Sequence, residues 1–208
     1  GTPQQNVYPF ESTGFGTKFA NPATAPTSGI ADVAVASNTS AVIYTGGTSP
    51  YQSAYPLTST AYGTRFSNPA DAVGLTSLNA VSLNASNSVV SFGGVSAASP
   101  PFMAYDFSTS TGYGTKYTNY SYTSTVGEDV LEGRFRPQED SWLAAMSSSA
   151  GNKLAVFKWN NSTGWAEEVR KIPATQPSGT VYRAEWSRDG SAIGAGHANS
   201  PYISAYPW

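Results

Sequence analysis

Four segments of this chain share one pattern, and their regular spacing constrains the fold more than any other feature. They read GFGTKFANP (14–22), AYGTRFSNP (61–69), GYGTKYTNY (112–120) and, less faithfully, GWAEEVRKIP (164–173). Their aromatic anchors Phe15, Tyr62, Tyr113 and Trp165 are separated by 47, 51 and 52 residues. A period of about 50 residues is typical of propeller blades and similar repeat arrays.

Other pieces recur in the same order between these anchors. An alternating apolar segment ends in a polar turn, and a second short apolar run follows it. After a Gly/Ser/Pro loop comes an aromatic strand such as SAYPL (53–57) or SAYPW (204–208). With the anchor segment, each unit is predicted to contain four short strands bounded by turn residues. Asp189-Gly190 is a strong hairpin signal, and no window favours a helix of useful length, so the predicted fold class is all-β.

The aromatic strands indicate how the units pack. In residues 202–206 the tyrosines fall on one face and Ile203 and Ala205 on the other, and neither face is charged. A sheet that is apolar or small on both faces is buried on both faces. Blades stacked around an axis would satisfy this, and the repeat position shared by four aromatic residues is then predicted to be buried: Tyr55, Tyr105, Phe157 and Tyr206.

Composition excludes several classes of protein. Only 12% of the 208 residues are charged, the net charge is −2 and the chain has no cysteine, which argues against nucleic acid as a partner and against disulfides or cysteine metal sites. No apolar run approaches the roughly 18 residues of a membrane span. The 13% aromatic content argues against disorder. Gly1 follows no initiator Met or signal peptide, so we expect a cut or processed end.

One part of the chain resembles the repeats of WD-repeat propellers, although the Trp-Asp pair of that family is missing. It reads WSRDGSAIGAGH (186–197), followed by SPYISAYPW (200–208). The chain is more similar to a variant repeat, GFGTKYSNP…SPDGSAIAVAH…SPYISAYPW, of bacterial and tailed-phage surface proteins. The resemblance covers nearly the whole chain and implies one β-propeller domain over 1–208. Its four-stranded antiparallel blades would comprise units of about 14–60, 61–111, 112–163 and 164–208. The third unit, with EGRFRPQEDSWLAAM (132–146), departs most.

Counting strands leads to a prediction about closure. The C-terminal segment 183–208 supplies three strands, and GFGTKFA (14–20) can supply the fourth, which leaves NVYPF (6–10) unused. Four complete blades closed by the two chain ends would result. The alternatives are a slice of a larger propeller and one protomer of a ring completed by copies.

No constellation of residues points to catalysis. His197 is the single histidine, so a nitrogen-rich metal site cannot be built, and no nucleophile elbow precedes it. A hydrogen-bonded residue at a strand end is the simpler interpretation of His197. Glu128 and Asp129 belong to the densest carboxylate cluster, which could serve glycoside hydrolysis or lie in a solvated loop. We therefore expect no cofactor, no metal and no enzyme activity.

The predicted function is a structural or binding module of a virion or cell surface that contacts a protein or a cell-surface glycan. A homo-oligomer and a cytoplasmic location stay open, and a propeller that binds or cleaves glycans is the alternative function. By the WD-repeat likeness, the loops after the GFGTK strands and before the AYPW strands share one face. That face is predicted to gather the candidate binding residues Tyr120, Tyr122, Glu128, Asp129, Tyr182 and His197.

Overall fold

The computed structural model describes residues 5–26, 29–47, 51–69, 77–95, 102–118, 130–147 and 153–208. Within these ranges the chain forms sixteen β-strands and no helix, so the predicted all-β class is confirmed. The strands are β1 (Phe10–Glu11), β2 (Gly14–Phe15), β3 (Ile30–Val35), β4 (Ala41–Gly46), β5 (Gln52–Pro56), β6 (Ser77–Leu83), β7 (Val89–Val95), β8 (Phe102–Ser108), β9 (Gly112–Lys116), β10 (Val130–Phe135), β11 (Trp142–Ser147), β12 (Leu154–Asn160), β13 (Gly164–Lys171), β14 (Val181–Trp186), β15 (Ala192–His197) and β16 (Ile203–Pro207). A membrane-spanning helix is not found in the described part of the chain.

Consecutive strands pair antiparallel, and the sheets follow one another in sequence order. Strands β1 and β2 form a separate pair, the N-terminal hairpin. Sheet I contains β3–β5, sheet II β6–β9, sheet III β10–β13 and sheet IV β14–β16. Sheets II and III thus have four strands each. In sheet I, Tyr62 forms a bridge with Leu57, and the Gly63 N–H donates to the Pro56 carbonyl at 2.8 Å, so the segment 61–66 runs beside β5.

The first strand of every sheet carries an irregularity at the same place. Its register with the second strand shifts near its beginning in all four sheets. A bulge of this kind bends a strand and increases its twist, so the four sheets share one local distortion. The shifts lie between Ile30 and Asp32, Leu78 and Ala80, Val130 and Glu132, and Val181 and Arg183.

The turn that follows each first strand also repeats in its backbone, although its sequence does not. One residue in each turn has a positive φ: Thr39 (57°), Asn87 (57°), Gln138 (67°) and Gly190 (70°). The left-handed region is favoured by Gly and tolerated by Asn. The Asp189-Gly190 hairpin predicted from the sequence is present, and three other residue types adopt the same conformation in the sister turns.

The core lies between neighbouring sheets. Strand β3 packs on β6, β6 on β10, and β10 on β14. Tyr55, Tyr105 and Phe157 are at most 1% exposed, as predicted for their shared repeat position. Tyr206 is half-buried, because it lies on β16, whose sheet has no fourth strand among the described residues.

The predicted pairing of segment 14–20 with the C-terminal sheet is not formed in the described part of the chain. Phe15 pairs instead with Phe10, and the Gly16 N–H donates to the Pro9 carbonyl at 2.8 Å. The segment 6–10, which the strand count left unused, is therefore the partner of the anchor segment. A hairpin between adjacent segments closes a much shorter loop than a contact between the two ends of the chain, so its entropic cost is smaller.

Candidate functional site

The connections between strands fall on two opposite sides of the molecule. Because consecutive strands run antiparallel within every sheet, successive connections alternate between the two sides. One side, which we call the turn face, holds the turns between first and second strands and between third and fourth strands. At the other, the loop face, the second strands end, the third strands begin, and the first strand of each sheet begins.

On the turn face, the turns of neighbouring sheets are hydrogen-bonded to one another. The Ser37 backbone N–H donates to Asn87 Oδ1 at 3.0 Å, and Asn87 Nδ2 donates to Ser37 Oγ at 2.8 Å. The next pair of sheets is joined by the Ser86 N–H, which donates to Asp140 Oδ1 at 3.0 Å. These contacts join sheets I, II and III at their turns.

Sheets III and IV are joined in the same way. Gln138 Nε2 donates to the Arg188 carbonyl at 3.2 Å, and Arg136 Nε donates to the Gly190 carbonyl at 2.9 Å. A Cβ on Gly190 would lie 2.6 Å from Arg136 Nε, so only glycine fits this close approach without displacing the arginine. In the described residues, the turn face is thus occupied by turns that are hydrogen-bonded to the turns of the neighbouring sheets.

The carboxylate of Asp189 organises the last of these turns. Asp189 Oδ1 accepts hydrogen bonds from Ser187 Oγ at 2.7 Å, the Ser191 N–H at 3.1 Å and Ser191 Oγ at 2.8 Å. These bonds, with the one from Ser187 contributing most, lower the pKa of Asp189 to about 2 because they stabilise the charged form. The group is fully exposed, so this is local turn chemistry and not a buried functional acid.

On the loop face, His197 is buried between Ser178, which precedes β14, and Ser204 of β16. It is 3% exposed, its Nδ1 lies 3.3 Å from Ser178 Oγ, and its Nε2 lies 2.9 Å from Ser204 Oγ. The Ala198 N–H donates to the Thr180 carbonyl at 3.0 Å. His197 is therefore a hydrogen-bonded residue at a strand end, which is the simpler of the two interpretations of the sequence. It is buried under the loop face and is not exposed on it.

Three apolar or aromatic side chains project from the same end of sheet IV. Tyr182 is 58% exposed, Tyr202 is 62% exposed and Ile203 is 72% exposed. Tyr182 was predicted as a binding residue. Tyr202 and Ile203 were instead expected to be buried, because neither face of residues 202–206 is charged. That expectation is wrong for this strand, although Tyr51, at the repeat position of Tyr202, is half-buried against the core of sheets I and II.

The other predicted binding residues, Tyr120, Tyr122, Glu128 and Asp129, lie outside the described residues. The two predicted binding residues that the structure does describe, Tyr182 and His197, lie on one side of the molecule. In the described ranges, no group of three or more His, Asp or Glu side chains is placed to hold a metal ion.

A groove of about 400 Å³ opens between sheets III and IV. Sequence analysis did not identify it. Its walls are mostly apolar, and its one charged side chain is Lys171. The residues that line it are Leu154, Val156, Lys171, Ile172, Pro173, Ala174, Thr175, Ile193, Tyr206, Pro207 and Trp208.

At one end of the groove, Trp208 packs against two further tryptophans and a cation. The rings of Trp142 and Trp208 have centroids 5.0 Å apart, and those of Trp186 and Trp208 are 5.3 Å apart. Lys171 Nζ lies 4.2 Å from the Trp208 centroid and 5.1 Å from that of Trp142. Cation–π attraction of this kind holds an ammonium group over an indole. The sequence signal that could have identified this cluster is the concentration of tryptophan in the last two units.

Comparison with known proteins adds evidence on the fold alone. No protein-family model and no curated protein matches the sequence. Among solved structures, a chain from the crystal structure of the mitotic checkpoint complex matches with a TM-score of 0.61 at 14% identity. The match covers 93% of this chain and 54% of that chain, so this chain spans about half the length of its structural neighbour. The fold is thus β-propeller-like.

Proposed function

We propose that this protein is a non-enzymatic interaction scaffold of the propeller type, which binds a protein partner through its loop face. The observation that carries the proposal is the difference between the two faces. Turn-to-turn hydrogen bonds occupy the turn face, whereas Tyr182 and Tyr202 are more than half exposed on the loop face. Tyrosine combines a large apolar ring with a hydrogen-bonding hydroxyl and is enriched where proteins bind one another.

The fold supports a scaffold without identifying its partner. Propellers carry many unrelated activities, so function has to be argued from the surface. The structural neighbour comes from a protein complex, which is consistent with a protein partner. The repeat resemblance supports a place on a virion or cell surface, and that location stays a prediction.

We further propose that sheets I to IV are successive blades of a propeller. Support comes from the repeated bulge in each first strand and from the packing of β3, β6, β10 and β14 in sequence order. The N-terminal hairpin and sheet IV are separate sheets. A ring completed by additional blades or by copies of the chain therefore fits better than four blades closed by residues 14–20.

A site-specific photo-crosslinker tests the face assignment. It is placed at position 182 on the loop face or at position 188 on the turn face, where Arg188 is exposed, and adducts formed in the native assembly are identified by mass spectrometry. We expect a protein adduct from position 182 and none from position 188. Adducts from position 188 alone would contradict the proposal, and specific binding on a glycan array without any protein adduct would show a carbohydrate partner instead.

A further inference from the structure

We propose that Tyr44 and Tyr62 form a modification site, at which a one-electron oxidant joins the two side chains into an intramolecular dityrosine. The site lies within sheet I and is separate from the loop face. The Tyr44 and Tyr62 hydroxyl oxygens are 2.6 Å apart, so each phenol is the hydrogen-bond partner of the other. The product is a covalent cross-link in a chain that has no cysteine.

The two tyrosines come from different parts of sheet I. Tyr44 lies on β4, and Tyr62 lies in the segment beside β5, where it forms a bridge with Leu57. They are 18 residues apart in the sequence. The ring of Tyr55 packs edge-on against both, with centroids 6.2 and 5.6 Å away. The hydroxyl contact therefore reaches across β5 and joins the second strand of the sheet to its outermost segment.

Tyr62 is the more accessible member of the pair. Tyr44 is 5% exposed, whereas Tyr62 is half-buried, so oxidation begins at Tyr62. A hydrogen atom then passes from Tyr44 to the Tyr62 radical across the short hydrogen bond. A second oxidation of Tyr62 leaves two radicals side by side, although only one of the rings has to meet the oxidant.

Both phenols are protonated in the folded protein at neutral pH. Burial, followed by the hydrogen bond to Tyr62, raises the pKa of Tyr44, and burial raises the pKa of Tyr62. Each phenol therefore has to release a proton when it releases an electron. For Tyr44 the hydrogen-bonded oxygen of Tyr62 accepts that proton.

The coupling removes two hydrogens in total. Each ring loses one electron and its hydroxyl proton, and the two radicals join through a new carbon–carbon bond between their Cε atoms. The hydrogens displaced from these carbons return to the phenol oxygens, so both hydroxyls are regenerated. The two electrons and two protons reduce one hydrogen peroxide to two waters when a haem peroxidase supplies the oxidising equivalents.

Sheet II contains the same arrangement of rings without the second hydroxyl. The strand pairs Val33–Tyr44 and Val81–Phe92 give Tyr44 and Phe92 the same place in their sheets. Phe92 lies 6.1 Å from the ring of Tyr113, and the buried Tyr113 hydroxyl has no hydrogen-bond partner among the described residues. Packing at this repeat position thus needs a ring but no hydroxyl, and Tyr44 is what gives sheet I a phenol pair.

The cross-link would fix the outermost segment of sheet I. Backbone bonds hold this segment to β5, from the Gly63 N–H to the Pro56 carbonyl at 2.8 Å and from the Phe66 N–H to the Ala54 carbonyl at 2.9 Å. Segments at the edge of a sheet are among the first to open locally. A covalent bond to β4 restricts that opening and also restricts the unfolded chain, as a disulfide does.

Controlled oxidation tests the proposal. The protein is treated in dilute solution with a haem peroxidase and hydrogen peroxide, the monomer is isolated, and its peptic peptides are mapped by mass spectrometry. We expect the main intramolecular product to be a Tyr44–Tyr62 link, with the loss of two hydrogens and with dityrosine fluorescence. The cross-linked monomer should melt about 5–10 °C above the untreated protein.

Two variants make the test specific. Tyr44→Phe reproduces the Phe92 ring of sheet II, so it should fold, which circular dichroism checks, and its monomer should lose the cross-link. Tyr62→Phe removes the same pair from its half-buried side and should behave alike. The absence of a Tyr44–Tyr62 link in the oxidised parent protein would overturn the proposal. A link from Tyr62 to Tyr55 in Tyr44→Phe, at the yield of the parent, would overturn it too, because ring proximity alone would then direct the coupling.

Discussion

Asp32 and Arg134 stand 102 residues apart in the sequence, yet Asp32 Oδ2 lies 3.0 Å from Arg134 Nη2. They belong to the first strands of sheets I and III, and sheet II lies between them in the chain. Its Val81 completes the contact, since the Val81 N–H donates to Asp32 Oδ2 at 3.0 Å and its carbonyl accepts from Arg134 Nη1 at 2.6 Å. One ion pair therefore ties three first strands together.

Removing one member of this pair should destabilise the fold. The side chains of Asp32 and Arg134 are 15% and 17% exposed, so the charge left behind would lose its nearest counter-charge in a largely desolvated place, although Arg134 would keep the more exposed Glu185 at 3.7 Å. We expect Asp32→Asn or Arg134→Met to lower the free energy of unfolding by about 3 kcal/mol, measured by urea denaturation. The double variant should lose clearly less than the sum of the single losses, and additive losses would contradict the pairing.

Two tyrosines at one repeat position should differ in their contribution to stability. Tyr105 is 1% exposed, and Tyr105→Ala should cost about 3–5 kcal/mol. Tyr206 is half-buried beside the open groove, so Tyr206→Ala should cost about 1–2 kcal/mol. Equal costs in urea denaturation would show that the groove is filled in solution.

The turn contact of Asn87 separates a backbone effect from a hydrogen-bond effect. Asn87→Ala removes two hydrogen bonds to Ser37 and forces alanine into a φ of 57°, so we expect a loss of about 2–3 kcal/mol. Asn87→Gly removes the same bonds but accepts this φ, and should lose about 1 kcal/mol. Thermal melts of both variants provide the comparison, and a glycine variant no more stable than the alanine variant would argue against the left-handed turn.

Asp189 should make one turn sensitive to acid. Its pKa falls from an ordinary 3.8 to about 2 in the folded protein. A lowered folded pKa means that the stabilisation is complete above the unfolded pKa and is lost as the pH falls from about 4 to about 2. The gap in melting temperature between the parent and Asp189→Ala should therefore shrink over this interval. Asp189→Asn keeps the oxygen acceptor without the charge, so its gap to Asp189→Ala should stay constant.

The sequence periodicity was sufficient to predict the strands and the side of each sheet on which their turns lie. The four-part unit and the burial of Tyr55, Tyr105 and Phe157 follow from positions that recur at a fixed spacing, and local patterns of this kind are dominated by side-chain chemistry. The pairing of Phe15 with Phe10 did not follow from the repeat count. Both the local hairpin and the distant closure satisfy the same pattern, and loop entropy decides between them.

The candidate sites were less accessible to sequence reasoning. His197 and Tyr182 lie on one side because antiparallel connectivity determines which strand ends share a face. The exposure of Tyr202 and the groove beside Tyr206 depend on what covers sheet IV, and a repeat treats these positions as copies of buried ones. These residues keep the amino-acid types of the repeat, but their surroundings differ from those of the equivalent residues in the other sheets.

The central claim is that the sheets stand side by side in sequence order with their first turns in contact on one face. Because the chain has no cysteine, engineered pairs test it directly. Ser37→Cys with Asn87→Cys, and Ser86→Cys with Asp140→Cys, replace residues in hydrogen-bond contact and should form intramolecular disulfides on mild oxidation. Ser37→Cys with Asp140→Cys joins turns one sheet further apart and should stay reduced. Non-reducing electrophoresis and mass spectrometry of the monomer read the outcome, and a disulfide in the distant pair with none in the two neighbouring pairs would contradict the arrangement.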